Sequence, residues 1–364
     1  MRKFALYIIR CTMALMAIVA IASCVRRPLE VYYPESARIR IDVDWMSRFG
    51  RMPTGMSLYF YPIEGGSPRT FLTNDVKSTY VDLEPGTYKV VIFNQSVDEF
   101  GSMGFRDQSD YLKFRAIARP LTTYQPEDWD SLTSYMRDPE PIGVALDTIT
   151  ITQEMMEEQI FFTDYRNRDQ KHTVETSDYV YNEIVDPMTT TLEVRVHVRG
   201  LEYINSLKGN INGLSNGFYL SQLWRHEDAG TLYLETWKAL NKTRAETDTL
   251  TEGWLQTSIP TFGLPHGKEL LSNRIEKDSK LRLCFTLVNG KKATYDFDVG
   301  RMIHYQNGED IDGTILQKRH AIIELQLLIE DTIIIPYAKG GGSGSGFDAE
   351  VEPWEDGGTI DIGF

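Results

Sequence analysis

Residues 280–299 read KLRLCFTLVNGKKATYDFDV, and this stretch decides the fold class. Two runs of alternating apolar and polar residues flank the pair Asn289-Gly290. Alternation with a period of two is typical of a half-buried β-strand, and Asn-Gly is the preferred two-residue connection of a β-hairpin. The stretch therefore predicts two antiparallel strands joined by a tight turn.

The same period of two recurs along the rest of the chain. It predicts further strands, including those at residues 38–45, 192–198 and 321–335. Pro85-Gly86 fits a type II turn between two apolar runs, because proline fixes φ and glycine accepts a positive φ. We therefore expect a second hairpin over residues 79–94, and long loops over residues 96–140.

Short strands separated by turn residues in both halves predict an all-β protein with two tandem β-sandwich domains. Asp186-Pro187 interrupts the pattern, so the boundary is placed between an N-terminal sandwich at 37–185 and a C-terminal sandwich at 186–338. The remaining predicted segments are a signal peptide at 1–23, a tether at 24–36, a Gly/Ser linker at 339–346 and a strand arm at 347–364.

The first residues are typical of a bacterial lipoprotein signal. Arg2 and Lys3 precede an apolar run that ends in Ile21-Ala22-Ser23-Cys24. The pattern predicts cleavage between Ser23 and Cys24 and acylation of Cys24, for example with palmitate. Acyl chains gain about 0.8 kcal/mol per buried methylene, so several chains would give a lasting anchor. The alternative is an ordinary secretory signal that happens to contain a cysteine.

The charge and the cysteines restrict the partners and the chemistry. The 364-residue chain carries a net charge of −14, and the signal holds three cations and no acidic residue, so cleavage makes the body more acidic. Such a surface disfavours nucleic acid and anionic lipid headgroups. Once Cys11 leaves with the signal and Cys24 is acylated, only Cys284 remains, so we predict a packed thiol and no internal disulfide.

No motif in the sequence indicates catalysis. The six histidines have no metal-binding spacing, and neither GxSxG nor a phosphate-binding loop occurs. The acidic segment 307–313 lacks the alternating ligands and the closing Glu of a calcium loop, which favours a solvated turn. We therefore expect no enzyme, no cofactor and no metal.

Two features point to binding. Trp129, Trp224 and Trp254 lie in or near predicted loops, where an exposed indole can stack on a sugar and a buried one caps a core. In the arm, Ile360, Ile362 and Phe364 share one face of a terminal strand. That strand either folds back onto its own domain or pairs with an exposed edge of another subunit.

The order of these features resembles the fimbrillin-like lipoproteins of Bacteroidales, in a subgroup of unassigned role. The resemblance spans most of the mature chain. It is carried by the signal around Cys24, the strand at 38–45, GMSLYFYP at 55–62, LEPGTYKV at 83–90, VRGLEYI at 198–204 and LSNG at 214–217.

The resemblance implies two transthyretin-like, Greek-key β-sandwiches that build or anchor pili. In the polymerising subunits of that family, a protease specific for Arg or Lys removes the first strand, and a neighbour's C-terminal arm fills the groove. The matching positions here are Arg48 and Arg51 for processing, and Ile360, Ile362 and Phe364 for the donor strand. An anchor would keep its first strand, since a cut at Arg48 separates the body from the lipid.

The functional prediction is a lipid-anchored fimbrial anchor or accessory subunit at the outer membrane, exposed on the surface and bound to other fimbrial subunits. The alternative is a surface glycan-binding outer-membrane lipoprotein that uses its loop tryptophans as sugar platforms. A glycan or a host receptor is a further expected partner, and nucleic acid is not.

Overall fold

The computed structural model describes residues 31–32, 35–121, 135–157, 161–162, 179–244, 250–305 and 325–338. Within these ranges the regular structure is almost entirely β-strand, with one short α-helix, α1 (Gln153–Glu157), and three short 3-10 turns. The predicted all-β class is confirmed. No helix in the described ranges is both long and apolar enough to cross a membrane.

In the described residues before residue 190 there are thirteen strands. They are β1 (Val31–Tyr32), β2 (Ala37–Asp44), β3 (Met56–Pro62), β4 (Arg69–Thr73), β5 (Ser78–Leu83), β6 (Gly86–Asn94), β7 (Met103–Arg106), β8 (Arg115–Ala118), β9 (Tyr135–Met136), β10 (Gly143–Ile151), β11 (Phe161–Phe162), β12 (Val180–Ile184) and β13 (Asp186–Pro187).

The strands from residue 190 onwards include the longest that the structure describes. They are β14 (Thr190–Arg199), β15 (Ile204–Ser215), β16 (Gly217–Tyr219), β17 (Trp224–Arg225), β18 (Ala229–Leu234), β19 (Lys238–Arg244), β20 (Thr251–Thr261), β21 (Lys280–Leu287), β22 (Lys292–Asp298), β23 (His304–Tyr305) and β24 (Leu325–Ile334).

The described residues fall into two compact units. The smaller unit holds those within 1–39, 82–85 and 151–179, where β1 and β11 form an antiparallel pair. The larger unit holds those within 40–81, 86–150 and 180–364. Most of the sheet structure belongs to the larger unit.

Four of the sheets take all or nearly all of their strands from one predicted half of the chain. Strands of the N-terminal half form a five-stranded sheet, β13-β10-β6-β3-β4, and a three-stranded sheet, β12-β2-β5. The C-terminal half supplies β19-β20-β14-β24-β23 and nearly all of β22-β21-β15-β18-β9. In each half the first long strand pairs in parallel with the last, β2 with β12 and β14 with β24.

Hydrogen-bonded strands also cross the predicted boundary at residue 185. The four-stranded sheet β17-β16-β8-β7 combines strands from both sides, and β9 pairs in parallel with β18. One buried apolar cluster of the larger unit likewise runs from Tyr59 to Ala338. The division into domains at residue 185 stays a prediction.

The stretch that decides the fold class forms the expected hairpin. β21 and β22 pair antiparallel over seven residue pairs. The turn is one residue longer than predicted, because Leu287 N donates to Lys291 O at 2.8 Å and three residues lie between them. Gly290, with φ of 75°, supplies the left-handed residue that such a three-residue loop needs.

The predicted hairpin at residues 79–94 is wrong. β5 lies at the edge of the three-stranded sheet, whereas β6 lies inside the five-stranded sheet and pairs with β3 over seven residues. Exposed and buried residues alternate along β5, as expected for a strand with one face in solvent. β6 is buried over most of its length. Pro85-Gly86 therefore leads the chain from one sheet into another. Within residues 96–140, predicted as loops, β7 and β8 form a short hairpin.

Candidate functional site

The first long strand and its end are buried on one face. Alternate side chains from Ala37 to Trp45 are at most 7% exposed. The Trp45 indole Nε1 also donates to Val76 O at 2.7 Å. Removal of β2 would therefore open an apolar groove, into which another alternating strand could fit.

Asp44 fixes the turn that follows β2. Its Oδ1 accepts hydrogen bonds from Met46 N at 2.9 Å and Ser47 N at 3.0 Å, and its Oδ2 accepts one from the Ser47 hydroxyl. These bonds, that of the Ser47 hydroxyl foremost, hold the pKa of Asp44 below its ordinary value. Gly50 N donates to Trp45 O at 2.9 Å, so the chain is held in a closed turn up to residue 50.

The two candidate processing residues differ in their surroundings. Arg48 Nη1 lies 3.0 Å from Asp186 Oδ1 of β13, and the Arg48 side chain is only 26% exposed. Arg51 is exposed and lies in the irregular segment that leads into β3. Proteases cut preferentially in exposed, irregular segments, so Arg51 is the more accessible of the two.

β24 is the last described strand, and one of its edges is open. On that side β23 covers only Leu325 and Gln326. Among the described residues, the edge from Leu327 to Ile334 has no neighbouring strand, although the Tyr295 hydroxyl donates to Ile334 O at its end, at 3.1 Å. Leu328 and Ile334 are 41% and 61% exposed. An open strand edge with apolar side chains is a template to which another strand can add.

Several predicted site residues lie outside the described residues. They are the cleavage and lipidation residues Ser23 and Cys24, the donor-strand residues Ile360, Ile362 and Phe364, and Trp129. The predictions made for them stay predictions.

Trp224 lies on β17 and is 39% exposed. Its indole stacks on the His266 imidazole, with 4.5 Å between the ring centroids and 11° between the ring planes. His266 Nδ1 in turn lies 3.2 Å from Oε1 of the buried Glu269. The imidazole is thereby held in place, and it supports one face of the indole.

A cavity of about 330 Å³ lies beside Trp224. Leu146 of β10 lines it together with Ser221, Gln222 and Leu223, the residues that precede Trp224. Ser221 is 7% exposed, and its hydroxyl has no hydrogen-bond partner among the described residues. Buried hydroxyls are normally paired, so Ser221 is an exception among the described residues.

Trp254 belongs to a different surface. It is half-buried on β20, opposite His197 of β14, with 4.9 Å between the two ring centroids. His197 Nδ1 lies 2.8 Å from the Thr332 hydroxyl. The cavity beside Trp224 does not include Trp254, so the structure does not bring these two tryptophans into one site.

Sequence reasoning missed Glu183, a carboxyl group of β12 that is 7% exposed. Burial, and next a hydrogen bond with Asp147 of β10, raise the pKa of Glu183 to about 8. At neutral pH, Glu183 therefore keeps its proton and shares it with Asp147. The flanking residues show no regular apolar alternation, so nothing in the sequence marked this position as buried.

The remaining candidates for chemistry are few. No cluster of three His, Cys, Asp or Glu side chains that could hold a metal occurs in the described part of the chain. Cys284 is a buried free thiol on β21, as predicted, and the Thr294 hydroxyl lies 3.8 Å from its sulfur.

These features define the class of protein, an all-β chain of several sheets with a strand edge that no described strand covers and a cavity lined in part by a tryptophan. The chain belongs to the family described as "Domain of unknown function (DUF5119)", whose profile matches residues 23–235. A curated relative, "Putative fimbrium anchoring subunit Fim4B" of Bacteroides ovatus, is 22% identical over 232 residues. That match covers 64% of this chain and 61% of the relative, less than two thirds of its length.

Solved structures extend the comparison. A crystal structure of "a putative adhesin" from Bacteroides ovatus has a TM-score of 0.55 at 16% identity, over 84% of this chain and 94% of its own. This shows a shared fold. "The fimbrial anchor protein Mfa2 from Porphyromonas gingivalis" has a TM-score of 0.36 at 11% identity, over 80% and 90% of the two chains. The resemblance to fimbrial proteins of Bacteroidales is confirmed by the curated relative from Bacteroides ovatus.

Proposed function

We propose that the chain is a lipid-anchored pilus subunit, an anchor or accessory component that joins other fimbrial subunits by strand complementation. The edge of β24 from Leu327 to Ile333, which no strand covers among the described residues, is the observation that carries the proposal. The printed name of the curated relative, a fimbrium anchoring subunit, favours the anchor role. The role is structural rather than catalytic, in keeping with the names of the relatives.

The donor strand of this proposal is the arm at 347–364. β24 ends at Ile334, and the Gly/Ser linker begins five residues later at Lys339. A flexible linker of that length and composition has a root-mean-square span of roughly 15 Å, enough to carry the arm to a neighbouring subunit. Ile360, Ile362 and Phe364 would then enter alternate pockets of the neighbour, while the backbone extends its sheet.

Tandem transthyretin-like sandwiches are part of the same proposal. The repeated topology supports them, since β2 pairs in parallel with β12 and β14 in parallel with β24. Each half thus joins its first long strand to its last. This arrangement suits strand exchange, because loss of the first strand exposes the edge of the last.

An anchor must keep the connection between its lipid and its body. We therefore propose cleavage before Cys24, acylation of Cys24 and a surface location on the outer membrane, with β2 retained. The ion pair between Arg48 and Asp186 supports retention of β2, because it makes Arg48, one of the two candidate cleavage sites, less accessible to a protease. If β2 is removed in assembly, Arg51 would be the site of the cut.

Truncation tests the donor role of the arm. The full chain and a chain ending at Ala338 are isolated from their native membrane, and the fimbrial subunits bound to each are measured by mass spectrometry. We expect the shortened chain to keep its thermal unfolding midpoint and to lose its fimbrial partners. Equal recovery of partners would contradict strand donation.

Point variants test whether partner binding depends on the apolar face of the arm or only on the presence of the arm. Changing Ile360, Ile362 and Phe364 together to Ser keeps the arm but removes its apolar face, so partner recovery should fall as in the truncation. A matched control changes Thr359 and Asp361 to Ser and Asn, on the opposite face of the predicted strand, and should recover partners as the parent chain does.

A further inference from the structure

We propose that the cavity beside Trp224 binds the ring of a neutral sugar, an activity beyond pilus assembly. The site is lined by Leu146, Ser221, Gln222, Leu223 and Trp224. Its volume of about 330 Å³ falls at the lower end of the range of small-molecule sites, roughly 300–1,000 Å³. One sugar ring is a ligand of suitable size.

The indole provides a preorganised platform. His266 covers one face of Trp224, and the hydrogen bond of His266 with the buried Glu269 fixes that contact. Trp224 is 39% exposed and lines the cavity, so part of its indole is accessible to a ligand. Sugar rings present C–H groups on their flat faces, and these pack on an aromatic ring while the hydroxyls point outward.

The turn before Trp224 is held by bonds to a second segment. Gln222 Nε2 donates to Leu112 O at 2.9 Å, and Leu220 N donates to Phe114 O at 2.9 Å. Leu223 has a left-handed backbone conformation, with φ of 55°. Residues other than glycine adopt this conformation rarely, so the surrounding structure must hold it. The lining is therefore in place before a ligand arrives, which lowers the entropic cost of binding.

The Ser221 hydroxyl favours a sugar over an apolar side chain as the ligand of the cavity. Its hydroxyl is buried and has no partner among the described residues. An apolar side chain in the cavity would offer this hydroxyl no partner. The oxygen is shielded from the cavity as it stands, so a sugar hydroxyl would pair with it after the Ser221 side chain rotates.

The lining also favours a neutral ligand. None of the five described lining residues is charged. The next residue, Arg225, does not line the cavity, and its Nε donates a hydrogen bond to Phe262 O at 3.0 Å. An acidic sugar would therefore bring a carboxylate to a site without a lining cation.

Saturation-transfer NMR on the full chain in detergent tests the proposal. The probes are the methyl glycosides of glucose, galactose, mannose and N-acetylglucosamine, with a sialoside as the charged comparison. We expect saturation of the ring C–H protons of at least one neutral glycoside. The proposal is overturned if no neutral glycoside responds, or if only the sialoside does.

Two variants identify the site. Trp224→Ala should weaken binding at least about tenfold, whereas Trp254→Ala, a tryptophan outside the cavity, should leave it unchanged. Ser221→Ala should weaken binding about 2- to 10-fold without lowering the thermal midpoint, because it removes an unpaired buried hydroxyl. Undiminished binding by folded Trp224→Ala and Ser221→Ala proteins would overturn the assignment.

Discussion

At the scale of single residues, two glycines with nearly the same positive φ have different surroundings. Gly213 has φ of +79° in the bulge of β15, and a Cβ there would lie 2.1 Å from Asp278 O. Gly290 has φ of +75° in the β21–β22 turn, and a Cβ there would meet no atom within 4 Å. Substitutions at these two glycines therefore distinguish the free-energy cost of a left-handed backbone from the additional cost of a steric clash.

We expect Gly290→Ala to lower the free energy of unfolding by about 1 kcal/mol, the cost of the left-handed conformation alone. Gly213→Ala should cost at least about 3 kcal/mol, because the backbone near Asp278 must also move. Urea unfolding of the two variants measures the difference. Equal losses would show that the clash at Gly213 relaxes freely.

The buried carboxyl Glu183 gives a residue-scale prediction in pH. Its pKa is about 8 in the folded chain, against an ordinary value of 4.5. Between these two values the unfolded chain releases the proton and the folded chain retains it, so stability falls as pH rises. From pH 5 to pH 8 the free energy of unfolding should fall by about 3 kcal/mol from this group.

Glu183→Gln should remove that pH dependence, since the amide cannot ionise and can still donate to Asp147. Urea midpoints at pH 5, 6.5 and 8 provide the measurement. Glu64→Gln, at an exposed position, is the matched control and should keep the slope of the parent chain. A Glu183→Gln protein with the parent slope would show that Glu183 ionises normally.

At the scale of elements, alternation predicted the strands whose two faces differ in polarity. β2, β14, β21 and β24 are such strands, and each lies close to its expected position. The length of the β21–β22 turn was not predictable from Asn289-Gly290, because that pair also fits a three-residue loop. β7 and β8 were missed because strands of four residues are too short to show a period.

β15 shows a second limit. A 3-10 turn at Leu201–Tyr203 leads directly into Ile204–Ser215, a central strand between β18 and β21. Gly209 lies in it because a Cβ would come within 3.1 Å of Trp237 and 3.2 Å of Leu283. Those neighbours are distant in sequence, so the need for glycine could not be read locally. The cavity beside Trp224 escaped prediction for the same reason, since Leu146 comes from another strand.

The loop between β2 and β3 yields an element-scale prediction. With a trypsin-like protease, the folded chain should be cut after Arg51 before it is cut after Arg48, because Arg48 is paired with Asp186. Arg51→Ala should slow release of the fragment containing β2 at least about tenfold, whereas Arg48→Ala should not. Asp186→Ala should create a cut after Arg48. Intact mass spectrometry of early digests distinguishes these outcomes, and preferred cutting after Arg48 in the parent chain would contradict the order.

At the scale of the whole molecule, attachment and assembly would occupy opposite ends of the chain. The predicted acyl site is residue 24, and the predicted donor strand lies within the last 18 residues. The body between them rests on apolar packing, since Cys284 is the only cysteine in the described residues and it is a free thiol. Its acidic charge gives no attraction to anionic headgroups, so membrane attachment should depend on acylation alone.

Cys24→Ser should therefore abolish incorporation of a palmitate probe and release the body from the outer-membrane fraction. Cys284→Ser is the matched control, because it removes the other thiol of the mature chain and should leave labelling and fractionation unchanged. If Cys24→Ser protein stayed in the membrane without label, a contact of the body with another membrane component would have to hold it there. Fractionation at high salt would then show whether that contact is electrostatic, since screening weakens exposed charge pairs but leaves an acyl anchor intact.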